Sequence, residues 1–236
     1  MRGFVLLSLV LIGSMHYSMG QSDFGLWLGS EVKYPVNKKL ELSFEVQSRF
    51  ESNVTRVGSS FLSPSVSYEL HKFLEVSAAY RLSNAPKETG FFGTETTHRL
   101  GIDLKSRNLM DLIKKKSRLQ TTLRIRATHE MEGTDLNNDY FRGQLEFSYN
   151  LPKTKLKPSI SGEFFYHFND QFVYTFDAVE SRSRINKCRI QAELKYPLSK
   201  RHDLKLFYFI EPEFESPDMD FVLGLNYTYN IKQKKD

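Results

Sequence analysis

Hydrophobic and polar residues alternate one by one along most of this chain, in runs of about ten residues. From Leu40 onward the even positions are apolar, as in Leu42 and Phe44, whereas the odd positions carry Glu41 and Glu45. A period of two is typical of a β-strand with one apolar and one polar face. The clearest runs lie at 40–49, 74–82, 119–126, 141–149 and 221–231, with weaker copies near 24–34, 58–70, 97–105, 156–168, 185–196 and 203–213. The pattern predicts about eleven strands and almost no helix.

The length of these runs indicates a membrane as the surrounding medium. Strands of soluble proteins average five to six residues, whereas a strand that crosses a membrane needs roughly 9–11. Beyond the N-terminal segment, no stretch approaches the roughly 18 apolar residues of a membrane helix. We therefore predict an all-β fold, a transmembrane antiparallel up-and-down β-barrel of about 10–12 strands.

A repeated tyrosine marks one end of five predicted strands. Each copy has the parity of the apolar face and precedes a short turn that contains a basic residue: Tyr34, Tyr68, Tyr149, Tyr196 and Tyr229. Amphipathic rings at the lipid–water boundary form an aromatic girdle in such barrels. Successive copies are separated by two, four, two and two predicted strands, so the chain returns to the same rim each time. The five tyrosines are predicted to lie on one rim.

The two sets of connections differ in charge. The tyrosine-side connections are basic at 38–39, 114–116, 153–157, 200–201 and 232–235, whereas the predicted loops near 129–139, 169–182 and 213–220 are acidic. Outer-membrane barrels have short turns in the periplasm and longer loops outside. The acidic loops are therefore predicted to face the medium.

The strand count leaves one conflict. The first strand, Phe24 to Tyr34, runs toward the tyrosine rim, and so does the last. Two strands of the same direction do not close the usual antiparallel seam. Two alternatives stay open: residues 40–231 form ten closing strands with the first segment outside, or one strand is missed and the total is twelve.

The N-terminal residues predict export. Residues 1–20 combine a basic start at Arg2, an apolar run and small residues at Ser18 and Gly20, which is typical of a cleaved signal peptide. This leaves residues 21–236 as one barrel domain in the outer membrane, with Cys188 as its single cysteine and no internal disulfide. Its charge falls from +5 to +4 without Arg2, too small an excess to indicate a nucleic-acid partner.

If the apolar face contacts lipid, the polar face lines the lumen. The charged residues placed there are Glu41, Glu45, Arg49, Glu75, Arg81, Arg99, Asp103, Arg124, Arg126, Arg142, Glu146, Glu163, Arg189 and Glu193, with Lys205 and Glu211. Because both signs occur in similar number, an ion-pair network that fills a narrow barrel is favoured over a charged constriction that selects solutes. An unbroken network across Glu45, Arg81, Arg126 and Glu146 would argue against an open pore.

Other chemistry-bearing residues give weaker signals. Trp27 has lumen parity, which fits a packing anchor better than a ligand-stacking ring. His98 has lipid-side parity and His167 lumen parity, but no serine–histidine signature of an acyl hydrolase accompanies them. The acidic segment 135–139 lacks the ligand spacing and turn glycine of a calcium loop. We predict no catalytic residue, metal or cofactor.

Several motifs together resemble a known family. They are Asp23-Phe24-Gly25-x-Trp27, the strand from Leu42 to Phe50, Tyr80-Arg81, His98-Arg99 and the Tyr-x-Leu-x-Lys turns. Over about residues 22–232 the chain resembles an uncharacterised bacterial outer-membrane β-barrel family, a domain of unknown function common in gliding or polysaccharide-degrading bacteria. The resemblance implies a barrel without an established activity, substrate or catalytic residue.

The leading hypothesis is a non-enzymatic outer-membrane barrel, either a narrow passage for a small or amphiphilic solute or a structural and interaction component. The alternatives are a lipid-modifying acyl hydrolase and a soluble periplasmic lipid-binding barrel. The predicted partners are outer-membrane lipids and lipopolysaccharide, and the barrel assembly machinery during insertion. No nucleic acid is expected, and the sequence does not predict an oligomeric state.

Overall fold

The computed structural model describes residues 22–87, 93–113, 117–132, 138–175, 178–214 and 219–231. The predicted signal peptide, residues 1–20, lies outside these ranges. Eleven strands occur in chain order: β1 (Ser22–Pro35), β2 (Leu40–Glu51), β3 (Arg56–His71), β4 (Leu74–Pro86), β5 (Thr94–Ser106), β6 (Leu119–Glu132), β7 (Asn138–Tyr149), β8 (Lys157–Thr175), β9 (Ala178–Pro197), β10 (His202–Pro212) and β11 (Met219–Asn230). A 3₁₀ helix at Leu109–Leu112 lies between β5 and β6. No helix in the described ranges is long and apolar enough to cross a membrane.

The strands form one closed barrel in sequence order. Each strand pairs antiparallel with the next, and β11 closes the barrel by pairing with β1 in parallel, from Ser22 opposite Met219 to Lys33 opposite Asn230. This confirms the predicted all-β barrel of about 10–12 strands. Both alternatives for the strand count, ten and twelve, are wrong, because a parallel ladder of evenly spaced hydrogen bonds joins two strands of the same direction.

The outer surface of the barrel is apolar. On β2, Leu42, Phe44 and Val46 are exposed while Gln47 is buried, and the same alternation recurs around the barrel up to Ile102, which is 61% exposed. Exposed apolar side chains at every second position are stable only against a medium that is itself apolar. The arrangement is the reverse of a soluble lipid-binding barrel, which has its apolar face inside.

The odd-numbered strands all run toward one rim, here called the turn rim, where the described connecting residues are 36–39, 72–73, 107–113, 117–118, 150–156 and 198–201. Tyr34, Tyr149, Tyr196 and Tyr229 lie within the last two residues of β1, β7, β9 and β11. Tyr68 lies three residues before the end of β3 and pairs with Leu40, the first residue of β2. The five tyrosines therefore lie beside the turn rim.

At the opposite rim, here called the loop rim, the odd-numbered strands begin and the even-numbered strands end, with residues 52–55 joining β2 to β3. The acidic loop predicted at 169–182 is wrong: β8 and β9 continue through most of it as paired antiparallel strands. The predicted loops at 129–139 and 213–220 are likewise partly strand. Acidic residues do not exclude a strand once a neighbouring segment supplies the hydrogen bonds. The basic runs 114–116 and 232–235 lie outside the described residues.

An aromatic cluster packs inside the barrel beside the β1–β11 seam. The Trp27 ring meets the Phe209 ring edge-on with centroids 4.8 Å apart, and Phe207 and Val222 complete the contact. A Cβ atom at Gly224 would collide with the Phe207 ring, so only glycine lets this ring lie against the wall. The cluster holds the two parallel strands and their neighbour β10 together.

Candidate functional site: the charged lumen

The lumen contains a cavity of about 800 Å³. Near the turn rim it is lined by Lys33 and by Asn230, the last residue of β11. Toward the loop rim it is lined by Glu130, near the end of β6, and by Lys187. The backbone of Lys187 forms an isolated β-bridge with that of Glu213, just beyond β10. One cavity therefore has wall residues near both rims.

The wall of this cavity is cationic. Among its described lining residues, thirteen are lysine or arginine and eight are aspartate or glutamate. The charges predicted for the lumen have similar numbers of both signs because five lining lysines are not among them: Lys33, Lys105, Lys157, Lys187 and Lys195. The alternation in the sequence indicates most of them, since Lys187 and Lys195 lie at odd positions like the lumen-facing Arg189 and Glu193.

Glu163 lies at the centre of an ion-pair network on one side of the lumen. This β8 side chain is 2% exposed and accepts hydrogen bonds from Arg142 Nη2 of β7 at 2.7 Å and from Arg124 Nη2 of β6 at 3.0 Å. Arg189 of β9 lies 3.8 Å away. Three strands thus direct guanidinium groups toward one carboxylate, an arrangement in which charge-assisted hydrogen bonds are strong.

Two further carboxylates extend the network. Asp103 of β5 accepts two hydrogen bonds from Arg126 of β6, from Nε at 2.5 Å and from Nη2 at 2.6 Å. Glu211 of β10 accepts one from Arg189 Nε at 2.6 Å and pairs with Lys187 at 2.8 Å. We call this region the ion-paired wall, formed on β5–β10 by Asp103, Arg124, Arg126, Arg142, Glu163, Arg189 and Glu211.

The opposite side of the lumen holds its arginines differently. The Arg81 Cζ atom of β4 lies 3.7 Å from the centroid of the Phe61 ring of β3. The Arg49 Cζ atom of β2 lies 3.9 Å from the Trp27 ring and 5.1 Å from the Phe61 ring. Neither arginine has a carboxylate of a described residue within ion-pair distance, and Arg49 donates one hydrogen bond to Gln47 Oε1 at 2.9 Å. These contacts are cation–π interactions.

Glu45 of β2 lines the same part of the cavity and attracts both arginines without forming an ion pair with a described residue. We call this region the stacked wall, formed on β1–β4 by Trp27, Glu45, Arg49, Phe61 and Arg81. Trp27 combines the packing role expected from the sequence with a second contact, to Arg49.

Two of the predicted lumen charges lie outside the cavity lining, near the turn rim. Glu41 pairs with Lys33 at 3.7 Å, and Glu75 pairs with Arg107. Asp103 is also absent from the lining, because it lies behind the guanidinium of Arg126.

The remaining predicted charges line the cavity. Arg99 Nε donates to Glu130 Oε2 at 2.8 Å, and Glu193 pairs with Lys205 at 3.6 Å. Glu146 has no ion pair with a described residue.

The ion-pair network is therefore interrupted. Of Glu45, Arg81, Arg126 and Glu146, only Arg126 forms an ion pair within the described part of the chain. Within the described residues, these four side chains therefore do not form the unbroken ion-pair network that would have argued against an open pore.

The two histidines singled out in the sequence lie on different surfaces. His98 is on the lipid side, where its Nδ1 atom and the Tyr80 hydroxyl share a hydrogen bond of 2.6 Å. His167 is buried on the lumen side and stacks on Tyr140 with ring centroids 5.0 Å apart. Among the described residues, no group of three or more histidine, cysteine or acidic side chains is arranged to hold a metal ion.

A closed β-barrel with an apolar outer surface, a girdle of tyrosines and a charged lumen defines the class of transmembrane β-barrels. Within that class, the family model described as protein of unknown function (DUF2490) matches residues 24–221. The chain belongs to this family, which confirms the resemblance to an uncharacterised family.

No curated protein matches the chain. Two solved structures are similar in fold. The beta domain of the Bordetella autotransporter BrkA is 10% identical, with a TM-score of 0.43, and the match covers 83% of this chain and 84% of that one. A structure described as "Unveiling the Mechanism Behind the in-meso Crystallization of Membrane Proteins" is 11% identical, with a TM-score of 0.40, and the match covers 85% of this chain and 78% of that one.

Proposed function

We propose that this protein is an outer-membrane barrel that provides a narrow passage for small hydrophilic solutes. The observation that carries the proposal is the lumen cavity, whose wall residues extend from Asn230 and Lys33 near the turn rim to Glu130 and Lys187 toward the loop rim. The apolar outer surface supports a membrane location, and closed barrels of this kind are typical of bacterial outer membranes.

The strand number supports a narrow bore. Barrels of about eight strands are filled by their own side chains, and those of about 16 leave a wide aqueous channel. Eleven strands lie between these limits. Long arginine side chains such as Arg124 and Arg142 take up part of the interior, so the remaining space suits small solutes.

The distribution of ion pairs favours a passage over a purely structural barrel. A filled structural lumen would pair its charges across the whole interior, because an unpaired charge in a poorly hydrated space is costly. Pairing is concentrated on the ion-paired wall, while Glu45, Arg81 and Glu146 have no ion pair within the described residues. Water in the cavity that they line would solvate these charges.

Single-channel recording tests the passage. The refolded chain in a planar bilayer is expected to give small, discrete conductance steps, and Arg81→Trp is expected to lower the step size by filling space beside Phe61. Exposed Arg56→Trp, at the loop rim, serves as the matched control. Absence of conductance from protein that migrates as a folded barrel on unheated gels would refute the passage.

A passage requires no catalysis, so we also infer that the protein does not hydrolyse lipid. Wild type, His98→Ala and His167→Ala are expected to give the same background release of fatty acid from phospholipid vesicles. Turnover that disappears in either variant contradicts this inference.

A further inference from the structure

Arg49 and Arg81 present unused hydrogen-bond donors to the cavity. A guanidinium group carries five N–H donors. Within the described residues, Arg49 donates a single hydrogen bond, to Gln47, and Arg81 makes its contact with the Phe61 ring alone. Both side chains line the cavity and are half-buried.

The two guanidinium groups lie close together and are held by aromatic rings. Since both lie over the Phe61 ring, at 5.1 and 3.7 Å, their Cζ atoms are within about 9 Å of each other. Phe61 lies on β3 between them, and both guanidinium groups line the cavity, so an anion in the cavity can reach each of them. Stacking on Trp27 and Phe61 restricts the planar groups, and such preorganisation lowers the entropy cost of binding.

The charge around the two arginines is not balanced. Arg81, Arg189 and Arg99 all repel Arg49, and the carboxylate of Glu45 attracts it. Arg189 is already bound to Glu211, and Arg99 to Glu130. A mobile anion beside Arg49 and Arg81 would offset the remaining repulsion.

We propose that Arg49 and Arg81, supported by Trp27 and Phe61, form a binding site for an oxyanion, the phosphate or carboxylate group of a small solute. The proposal deepens the proposed function and rests on it, because the lumen supplies the route by which the solute reaches the site. Rings of arginine and lysine select anions in other pores. The adjacent aromatic faces can pack against an apolar part of the same solute.

The fluorescence of Trp27 provides a direct measurement, because it is the single tryptophan of the chain and contacts Arg49. The folded full-length protein in detergent is titrated with sodium phosphate, and separately with sodium acetate, at constant ionic strength set with sodium chloride. A saturable fluorescence change is expected with at least one of the two anions, and comparing them distinguishes phosphate from carboxylate solutes.

Arg81→Met is the principal variant because it leaves the contact between Trp27 and Arg49 in place. Loss of a charge-assisted hydrogen bond is expected to weaken the binding of the preferred anion about tenfold or more. Lys105→Met is the matched control: it removes a cation that lines the same cavity on β5 near the turn rim and has no ion pair within the described residues. Its affinity is expected to stay within about twofold of wild type.

Two results would overturn the site: a change that does not saturate with either anion, or equal weakening in Lys105→Met, which would show a general effect of lumen charge. If Arg81→Met does not fold, Arg81→Lys replaces it, since it keeps the charge and loses the planar fork. Unchanged affinity in folded Arg81→Lys also overturns the proposal. Conductance without saturable binding refutes the site and leaves the passage, whereas saturable binding without conductance refutes the passage and leaves the site.

Discussion

The ion-paired wall and the stacked wall hold the same side chain in two ways. Arg142 is fixed by a carboxylate, Glu163, at 2.7 Å and also lies 4.6 Å from the Phe165 ring, whereas Arg81 contacts the Phe61 ring at 3.7 Å and has no carboxylate of a described residue within ion-pair distance. A carboxylate consumes the donors of the guanidinium, and a ring leaves the edge of the guanidinium plane free. One side of the barrel is thus built for stability, and the other keeps hydrogen-bonding capacity for a solute.

The two kinds of contact differ in how much their loss lowers the free energy of unfolding. Removing one member of a buried ion pair leaves an uncompensated charge, which costs roughly 3–5 kcal/mol. A cation–π contact contributes only about 0.5–2 kcal/mol and leaves no charge behind when the arginine is replaced. Replacing an arginine of the ion-paired wall should therefore lower the stability more, whereas replacing one of the stacked wall should weaken anion binding more.

The largest expected effect follows Glu163→Gln. This change leaves Arg124 and Arg142 without their shared carboxylate, and we expect the free energy of unfolding to fall by about 3 kcal/mol. Urea titration of the folded barrel in detergent measures it. Glu45→Gln, an acid-to-amide change on the stacked wall, is the control; an equal loss in both variants would remove the distinction between the walls.

Arginine substitutions should separate the walls in the same way. Arg126→Met is expected to destabilise by about 2 kcal/mol because Asp103 loses both hydrogen bonds from the guanidinium and keeps only the one from Ser77. Arg81→Met should cost less than about 1 kcal/mol because no carboxylate loses a partner. The same urea titration compares the two variants, and a larger loss for Arg81→Met would contradict the assignment.

Glu45→Gln should strengthen anion binding with little effect on the free energy of unfolding. Glu45 attracts both Arg49 and Arg81, so removing its charge is expected to raise phosphate or acetate affinity about threefold. Trp27 fluorescence reports the change. Weaker binding in this variant would mean that Glu45 holds the arginines in place instead of competing with the anion.

The smallest effect is expected at an exposed pair. Arg56 and Glu51 lie 2.5 Å apart at the loop rim, with about half of each side chain exposed. Arg56→Gln should change the free energy of unfolding by less than about 0.5 kcal/mol, because solvent screens such pairs. A loss as large as that of Arg126→Met would show that proximity, and not burial, determines the strength of the ion-paired wall.

The alternation in the sequence predicted the strands and the face on which each residue lies, because a strand repeats every two residues whatever its neighbours are. The pairing of Asp103 with Arg126 follows from that pattern once the register of β5 and β6 is known. The pairing of Arg124 with Glu163 does not, since the arginine reaches past Gln144 to the second strand along.

Other features could not be predicted from the sequence. The parallel closure of β1 on β11 depends on the closing geometry of the whole barrel. The cation–π contacts of Phe61 depend on side-chain directions across three strands, and Phe61 alone gives no sign of them. The acidic residues at 169–182 predict a loop, but strands β8 and β9 form there because strand pairing overrides local charge.

The parallel pairing of β1 with β11 also determines at which rim the first strand begins and at which rim the last strand ends. With eleven strands, β1 starts at the loop rim and β11 ends at the turn rim, so Ser22 and Asn230 lie on opposite sides of the barrel. A barrel with an even number of strands has both of these points on one side. Antibody epitopes inserted beside Ser22 and beside Asn230 would therefore be reached from opposite faces of the membrane, and the one detected on intact cells identifies the rim that faces the medium.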